Sequence, residues 1–463
     1  MVDVRRDSGE RATSPDRGLA PRRAALGVLR AVREGRTFDG ALDQALPGLG
    51  DADRRLVHEI AAGVLRARDE LDAMLAPRVT GGWRHVADDM KDILRIGAYQ
   101  LRLLDRIPVH AAVAATVELA KREHGQRPAG FVNAVLRRLA QEAEAGGQEG
   151  SRAETAERQG GSAAATTAQP LNRSTAGAPT DALGQLAKRH SHPRWLVARW
   201  VERFGAEATE RLLAHNNQRP PVQLQAARWP LDQLRTALVE RGFEVDESPE
   251  RPGVGLRGAV VPELPGFAEG AFVVQDAAQA LALAFVAVPD GALVWDACAA
   301  PGGKSAVMAT RCRVVASDVR AERLPRLAET VRRAGPDATL LRADALAAPF
   351  RPMTFDAVVL DVPCSASGTL ARHPDGRWRL NSRRLERLAM LQRALLDAVA
   401  PAVAPGGLLA YMTCSLEREE NQDQVDGFLA RHPEFRRSAD DLFVFPPDRG
   451  TDGGYAARLV RAT

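Results

Sequence analysis

From Phe272-Val273-Val274-Gln275-Asp276 onward the chain repeats one pattern: an apolar β-type run, a turn, then a helical stretch. The β-type runs are Leu293 to Ala297, Arg313 to Ser317, Thr339 to Arg342, Phe355 to Leu360 and Leu408 to Met412. Between the last two lies Arg383 to Val403, whose Leu385, Leu388, Leu391, Leu395 and Val399 face one way on a helix. Such alternation predicts a parallel, doubly wound α/β sheet. In a sheet of this kind ligands and chemistry collect at the carboxyl ends of the strands.

The rest of the chain reads differently. At 463 residues it is too long for one ordinary core. Pro21 to Ala140 carries helical periodicity in Leu26, Leu29 and Val32, in Val57, Ile60 and Val64, in Ile93 and Ile96, and again in Val109 to Leu119 and Phe131 to Leu139. Turn signals at Thr80-Gly81-Gly82 and Ile107-Pro108 divide it into short helices, so an all-α domain is expected over 21–140. Residues 141–182 are rich in Gly, Ala, Ser, Thr, Glu and Gln, with Leu171 their only large aliphatic. That stretch cannot bury enough apolar surface to offset its ordering entropy, and a flexible linker is expected. A small mixed α/β segment follows over 183–270, with a helix at Trp195 to Phe204 and strands at Gln223 to Gln225 and Gly253 to Leu256. The doubly wound domain occupies 271–463.

Composition excludes several classes. No apolar stretch is long enough to span a bilayer, and Met1-Val2-Asp3-Val4-Arg5-Arg6 has no apolar core behind it, so neither membrane insertion nor secretion is expected. The four cysteines, Cys298, Cys312, Cys364 and Cys414, form no CxxC pair and fit reduced thiols in the cytoplasm. Metal-ligand spacing is missing: His190 and His192 stand two apart with no complementary pair, and no metal is expected. Net charge is +4, from 63 basic and 59 acidic residues. Arginine dominates the basic set, which suits phosphate and base recognition. A genome rich in G and C would give the same bias, so composition permits an RNA partner without requiring one.

Two cysteines follow predicted strands fifty residues apart, Cys364 in Asp361-Val362-Pro363-Cys364 and Cys414 in Thr413-Cys414-Ser415. A single cysteine is more often a small apolar core residue. Two thiols at strand ends point instead to covalent catalysis, because a thiolate is a strong side-chain nucleophile near neutral pH. The first strand ends in Asp296-Ala297-Cys298-Ala299-Ala300-Pro301-Gly302-Gly303-Lys304-Ser305. Its glycines let backbone approach a ligand closely at a strand-to-helix turn. The loop is not a nucleoside-triphosphate loop, since Cys298 stands where that motif needs a glycine, and no dinucleotide GxGxxG is present. Asp318 follows the second strand, where an acid can take ribose hydroxyls. Asp344 follows the third, where it can accept an adenine amino group. Each acid alone could equally be a helix N-cap. Together with the loop they describe an adenosine pocket without phosphate clamps, and S-adenosylmethionine fits it.

The motifs Cys298-Ala299-Ala300-Pro301-Gly302-Gly303-Lys304, Asp361-Val362-Pro363-Cys364 and Thr413-Cys414-Ser415 resemble the signature set of RNA cytosine-5 methyltransferases of the Sun/NOP2 family. Asp92 to Leu101, Ile107 to Val113 and Phe131 to Arg138 resemble the NusB-like RNA-binding domain of its bacterial RsmB (Sun/Fmu) branch. His192-Pro193, Trp195, Asn216-Asn217 and Val274-Gln275-Asp276 fit that branch too. The resemblance spans nearly all the chain except 141–182 and the first twenty residues. It implies a multidomain protein: an α-helical NusB-like domain, a small α/β segment and a Rossmann-like S-adenosylmethionine-dependent methyltransferase domain.

The implied activity is methylation of C5 of a cytosine in 16S rRNA, by a monomer. Cys414 is implied as the nucleophile that adds to cytosine C6, Asp361 as the group that holds the base edge near N3, and Cys364 as the group that assists release, as the base or as the group that resolves the adduct. Cys298, Ala299, Ala300, Pro301, Gly302, Gly303, Lys304, Asp318, Arg323, Asp344 and Asp361 are implied to hold the cofactor. Lys304 is expected to orient the pocket, Cys298 to serve mainly in packing and Cys312 to be structural. Arg22, Arg23, Arg137 and Arg138 are candidate RNA contacts, as is the Arg372-His373-Pro374-Asp375 loop; solvated surface is the alternative for both sets. Some positions depart from the family text. Val362 and Ser305 are conservative replacements, whereas Asp452-Gly453-Gly454-Tyr455 lacks the usual aromatic pairs, a departure that bears on the last strand's packing and on RNA contact but not on the chemistry. A tRNA cytosine-5 methyltransferase is the runner-up. A noncatalytic RNA-binding or assembly factor is disfavoured because both Cys364 and Cys414 are present.

Overall fold

The structure, a computed structural model, describes residues 18–104, 107–157, 181–248, 251–335 and 338–463, and of 143–157 the backbone alone. The chain divides into two compact units, Met1–Thr209 with His373–Asp375, and Glu210–Arg372 with Gly376–Thr463.

The first unit is helical: α1 (Leu19–Arg33), α2 (Phe38–Ala45), α3 (Asp51–Arg66), α4 (Arg68–Leu75), α5 (Asp88–Arg102), α6 (Val109–His124) and α7 (Gln126–Glu157). The residues whose spacing predicted an inward stripe are the buried ones, among them Leu26, Leu29, Val32, Val57, Ile60, Val64, Ile93 and Ile96. Burying each such side chain contributes about 1.5–3 kcal/mol. Gly97 lets α5 come close to its neighbour, since a Cβ there would lie 2.5 Å from the Leu136 side chain.

Helix α7 runs on through residues 141–157, where a flexible linker was expected. Burial was the only criterion behind that expectation. Alanine, glutamate and glutamine have strong intrinsic helix propensity and sustain a helix once it has been nucleated upstream. Residues 158–180 of the expected linker lie outside the described residues. The domain boundary also differs. Helices α8 (Ala182–Arg189) and α9 (Arg194–Phe204) belong to the helical unit rather than to the α/β segment that was expected from 183. Between them, Ser191 Oγ accepts the backbone N–H groups of Asp69 (3.1 Å) and Glu70 (3.3 Å), satisfying the start of α4 as an N-cap residue would. Helix α10 (Ala206–Asn216) spans the boundary.

Of the arginines proposed for RNA, Arg22 is buried in α1, and burial lowers the pKa of its guanidinium. It cannot present a phosphate-binding fork. The periodic signal missed this because Arg22 shares the inward stripe with Leu26 and Leu29. Arg23 pairs with Glu123 at 2.9 Å, while Arg137 and Arg138 are exposed.

The second unit holds two sheets. β1 (Val222–Ala226), β2 (Val245–Ser248), β3 (Arg251–Leu256) and β4 (Phe272–Val274) form an antiparallel sheet in the order β2-β3-β1-β4. Its core combines Leu224, Val254, Leu256 and Phe272 with Leu234 and Leu238 of α11 (Leu231–Glu240). Because β4 pairs with β1, residues 272–274 complete this sheet instead of opening the next domain, which was expected at 271.

The larger sheet contains the five expected strands as β5 (Leu293–Asp296), β6 (Arg313–Asp318), β7 (Ala338–Arg342), β8 (Phe355–Asp361) and β9 (Val403–Thr413), with β10 (Phe435–Arg437), β11 (Leu442–Val444) and β12 (Gly454–Arg461) added. Its order is β10-β12-β9-β8-β5-β6-β7, with β11 also pairing to β12. Strands β5 to β9 are parallel, and β12 runs antiparallel to β9. The two-residue period sends Trp295, Val358, Leu360, Leu409 and Tyr411 into one core, and Val294, Ala357, Val359, Leu408 and Ala410 into the other. One face is covered by α12 (Ala277–Val286), α13 (Gly303–Met308) and α14 (Leu324–Ala334). The other is covered by α16 (Ser382–Val399), which follows the short α15 (Gly376–Arg379), and by α17 (Gln422–Arg431). Chain order reverses between β5 and β8, the topological switch where a crevice opens.

The last strand, which carries Tyr455 of Asp452-Gly453-Gly454-Tyr455, pairs with β9 over six residues. Tyr455 is fully buried and its hydroxyl donates to Asp441 Oδ2 at 2.5 Å. A single aromatic with a satisfied hydroxyl fills the space for which pairs were expected.

Candidate active site

The strand ends converge at that switch. Past β5, Gly302 adopts φ +105°, and a Cβ there would lie 2.9 Å from Leu327 Cδ1, so the turn into α13 requires glycine. Gly303 is open by comparison: a Cβ there would meet nothing nearer than Gln275 Nε2 at 3.7 Å. Lys304, nearly buried, places Nζ 2.6 Å from Asp361 Oδ2 at the end of β8. This ion pair joins the first loop to the fourth strand end across the crevice.

Asp318 and Asp344 stand at the ends of β6 and β7 as expected. The capping alternative weighed for them holds in part: Asp318 Oδ1 accepts the N–H of Arg320 (2.9 Å), and Asp344 Oδ1 accepts that of Leu346 (3.0 Å). Each capping bond uses one carboxylate oxygen. Beside them the apolar side chains of Val319 and Leu346 are exposed. Arg323 is exposed in the turn after β6.

One acid was missed. Asp296, the last residue of β5, is buried and accepts from Ser305 Oγ at 2.5 Å. Its Oδ1 has no hydrogen-bond partner among the described residues. Burial pushes its carboxyl up to about 7, with Asp361 and Asp318 adding to the shift and Ser305 and Lys304 opposing it. It stands two residues before the loop motif, and nothing in the sequence sets it apart from other strand residues.

The two cysteines meet. Cys364 Sγ and Cys414 Sγ lie 2.9 Å apart, both free and partly buried, with the backbone N–H of Cys414 also 3.4 Å from Cys364 Sγ. The hydrogen bond to Cys414 and burial together push the Cys364 thiol well above the ordinary range, with the charges of Cys414 and Glu420 adding to it. Cys298 is a different kind of thiol. Burial, then the surrounding Asp296, Asp318 and Asp361, keep it protonated, and it packs against the sheet core. Cys312 is buried and its Sγ donates to Pro289 O at 3.3 Å, a structural role.

The loops bearing the thiols are fixed by a buried polar network that sequence reasoning missed. Ser365 Oγ and Ser415 Oγ are 3.1 Å apart, Ser367 Oγ accepts from Leu416 N (2.9 Å), and Gly368 N donates to Cys414 O (3.0 Å). Thr413 Oγ1 donates to Asn421 Oδ1 (2.6 Å), whose Nδ2 donates to Ser415 O (2.9 Å). Arg372, expected to reach RNA, is held instead between Asp276 (2.7 Å) and Asp452 (3.0 Å). Burial and the neighbouring Asp276 push the Asp452 carboxyl up to about 8. Asp375, from the same loop, is also buried and accepts from Phe38 N at 3.1 Å. A charged tetrapeptide reads as surface until its partners are known, and those of Arg372 lie 80 and 96 positions away.

Comparison with known proteins gives the family. Residues 283–459 match the family described as 16S rRNA methyltransferase RsmB/F, residues 19–141 the NusB family, and residues 192–260 the ferredoxin-like domain of RsmF/B-like methyltransferases. The ribosomal RNA small subunit methyltransferase B of Erwinia tasmaniensis is 33% identical over 458 residues, covering 95% of this chain and 97% of the relative. That of Salmonella paratyphi B is 34% identical over 457 residues, with the same coverage. Among solved structures, PH0851 superposes with a TM-score of 0.74 at 23% identity, covering 95% of this chain and 98% of that one. A methyltransferase homologue from Pyrococcus horikoshii gives 0.54 at 21% identity, covering 61% of this chain and 100% of its own. Matched over 95% of its length by relatives at 33% and 34% identity, the chain belongs to the ribosomal RNA small subunit methyltransferase B family.

Proposed function

We propose that this protein methylates C5 of a cytosine in 16S rRNA through a covalent adduct between Cys414 and cytosine C6. The reading is carried by one observation: two free thiols lie 2.9 Å apart at adjacent strand ends. The residues present suit S-adenosylmethionine. Asp296 keeps a buried oxygen without a hydrogen-bond partner among the described residues, and Asp318 and Asp344 each have a carboxylate oxygen beyond the one used in capping. Cys298 to Lys304, Asp318, Arg323, Asp344 and Asp361 would hold it, with exposed Val319 and Leu346 offering apolar surface beside the acids. Bound there, S-adenosylmethionine supplies an electrophilic methyl group to C5.

The chain's own residues supply the rest. Cytosine C5 is a poor nucleophile until the Cys414 thiolate adds to C6, forming a C–S bond and moving electron density to C5 and N3. Asp361, anchored by Lys304, is assigned the base edge near N3, where it stabilises that density. After methylation C5 carries both a methyl group and a proton. Loss of the C5 proton to solvent water returns its electron pair to the ring, the C6–S bond breaks, and the bonding pair leaves with Cys414. Cys364 assists that release by donating its S–H to the departing thiolate, a role suited to a thiol that retains its proton. The target base must be single-stranded or flipped for the thiol to reach C6.

Incubating the purified protein and cofactor with unmodified 16S rRNA or with tRNA, then mapping 5-methylcytosine, tests the substrate. Methylation of rRNA is expected; methylation of tRNA alone overturns the assignment. Cys414→Ala is expected to abolish methyl transfer. Cys364→Ala is expected to accumulate a protein–RNA adduct that survives a denaturing gel, and normal turnover by that variant would refute the division of roles.

A further inference from the structure

Glu420 is fully buried in the 3₁₀ turn Arg418–Glu420 that follows Cys414, and the chemistry above makes no use of it. Its Oε1 accepts the backbone N–H of Ser365 at 2.8 Å and the side-chain Nε2–H of Gln392 at 2.9 Å. Gln392, buried on α16, also donates to Pro363 O at 2.9 Å. The peptide groups on both sides of Cys364 are therefore tied to one carboxylate, directly on one side and through Gln392 on the other. The turn that carries Glu420 is tied in turn to the strand of the other thiol. Glu420 O accepts the Tyr411 hydroxyl of β9 at 2.6 Å, three residues before Cys414.

We infer that Glu420 is a positioning residue: it holds Cys364 against Cys414, and its buried negative charge keeps the shared proton on Cys364. This rests on the two-thiol reading above and deepens it, naming the group that makes one cysteine the nucleophile and the other the proton holder. A carboxylate is a costly choice for a buried structural acceptor, since desolvating a charge costs more than desolvating an amide. The donors it meets, Ser365, Ser415 and Gln392, are all neutral, so hydrogen bonding leaves its charge in place. Burial raises the Glu420 carboxyl itself, while hydrogen bonds from Ser365, Ser415 and Gln392 oppose that shift. The titratable groups facing Cys364 are Cys414 from β9 and Glu420 from the turn, with the Tyr411 hydroxyl behind them. None of these groups is a cation, so the local field favours a protonated Cys364.

Two measurements separate this inference from the catalytic reading. The first uses the full-length protein without RNA, in a Cys414→Ser background, and follows iodoacetamide alkylation of Cys364 by peptide mass spectrometry as a function of pH. Glu420→Gln keeps an acceptor and the side-chain size but removes the charge. It is expected to move the alkylation midpoint down by about one pH unit, a tenfold gain in thiolate at a fixed pH below the midpoint. An unmoved midpoint overturns the electrostatic role whatever the enzyme's substrate proves to be. The second compares turnover on 16S rRNA at saturating cofactor. Glu420→Ala is expected to lower kcat by about tenfold or more with cofactor affinity changed less than about twofold, and Glu420→Gln to recover most of that loss below neutral pH. Wild-type kcat in Glu420→Ala, or equal losses in both variants together with weakened cofactor binding, would overturn the positioning role. Should the wild type methylate no RNA while the alkylation shift is present, the function reading fails and the inference about the thiol pair stands.

Discussion

A carboxyl buried beneath the cofactor loop couples this enzyme's stability to pH. Asp296 has an ordinary value of 3.8 in the unfolded chain and about 7 in the fold. Between those values the folded state binds the proton that the unfolded state has lost, so stability falls as pH rises from about 4 to about 7, on the order of a few kcal/mol over the window. Asp296→Asn keeps an acceptor for Ser305 and removes the ionisation. The variant is therefore expected to match the wild type near pH 4 and to exceed it in Tm at pH 8, as read by calorimetry at both pH values. A wild-type advantage at pH 8 would show that the carboxylate is stabilised by something beyond the residues around it. The same residue marks a limit of sequence reading. The motif from Cys298 to Lys304 was legible because glycines and a lysine at fixed spacing imply a ligand loop. Asp296 beside it is indistinguishable in sequence from any strand residue until Ser305 and Asp361 are folded against it.

At the scale of elements, the parallel strands were legible because continuous apolar runs of four to seven residues bounded by turn signals have few other uses. Among the strands that went unread, β2, β10 and β11 are three or four residues long and carry Asp, Glu or Arg, or lack a long enough run to show a period. Their pairing partners fix them, not their composition. The thiol-bearing turns show the same division. Each motif was visible alone, whereas their mutual distance depends on a close backbone approach that only the fold displays. A Cβ on Gly368 would sit 2.8 Å from Cys414 O and 2.8 Å from Gly453 Cα, both backbone atoms that cannot swing away. Gly368→Ala must therefore push the Cys364 turn off the end of β9. It is expected to cost about 1–3 kcal/mol of stability and at least about tenfold in kcat, with cofactor affinity preserved because the Cys298–Lys304 loop is untouched. Chemical denaturation, cofactor titration and single-turnover kinetics on one variant read all three. Unchanged kcat would mean that the thiol separation is not critical to the reaction.

At the scale of the molecule, affinity for RNA has to come from somewhere other than the residues that first suggested it. Arg22 is in a helical core, Arg372 is held by two carboxylates, and Arg23 shares its charge with Glu123. Net charge is only +4, so binding driven by the overall field would be weak and local arrangement has to matter. Arg137 and Arg138 remain exposed on α7, with Arg138 donating one N–H to Arg78 O at 3.3 Å. Each guanidinium retains donors for a phosphate. If both contact the RNA backbone, each contact releases close to one counterion, and log K falls with log salt by about 0.7–0.9 per phosphate. Arg137→Glu with Arg138→Glu is therefore expected to weaken binding of 16S rRNA and to flatten the salt dependence by about 1.4–1.8 in slope. Cofactor binding should not change, since those residues lie in the helical unit and the cofactor loop in the other. Fluorescence anisotropy over a salt series measures both quantities. Weakened affinity with an unchanged slope would assign these arginines to folding of the helical unit, and an unchanged affinity would move the RNA contacts to other basic residues such as Arg383, Arg387 and Arg393, which are exposed along α16.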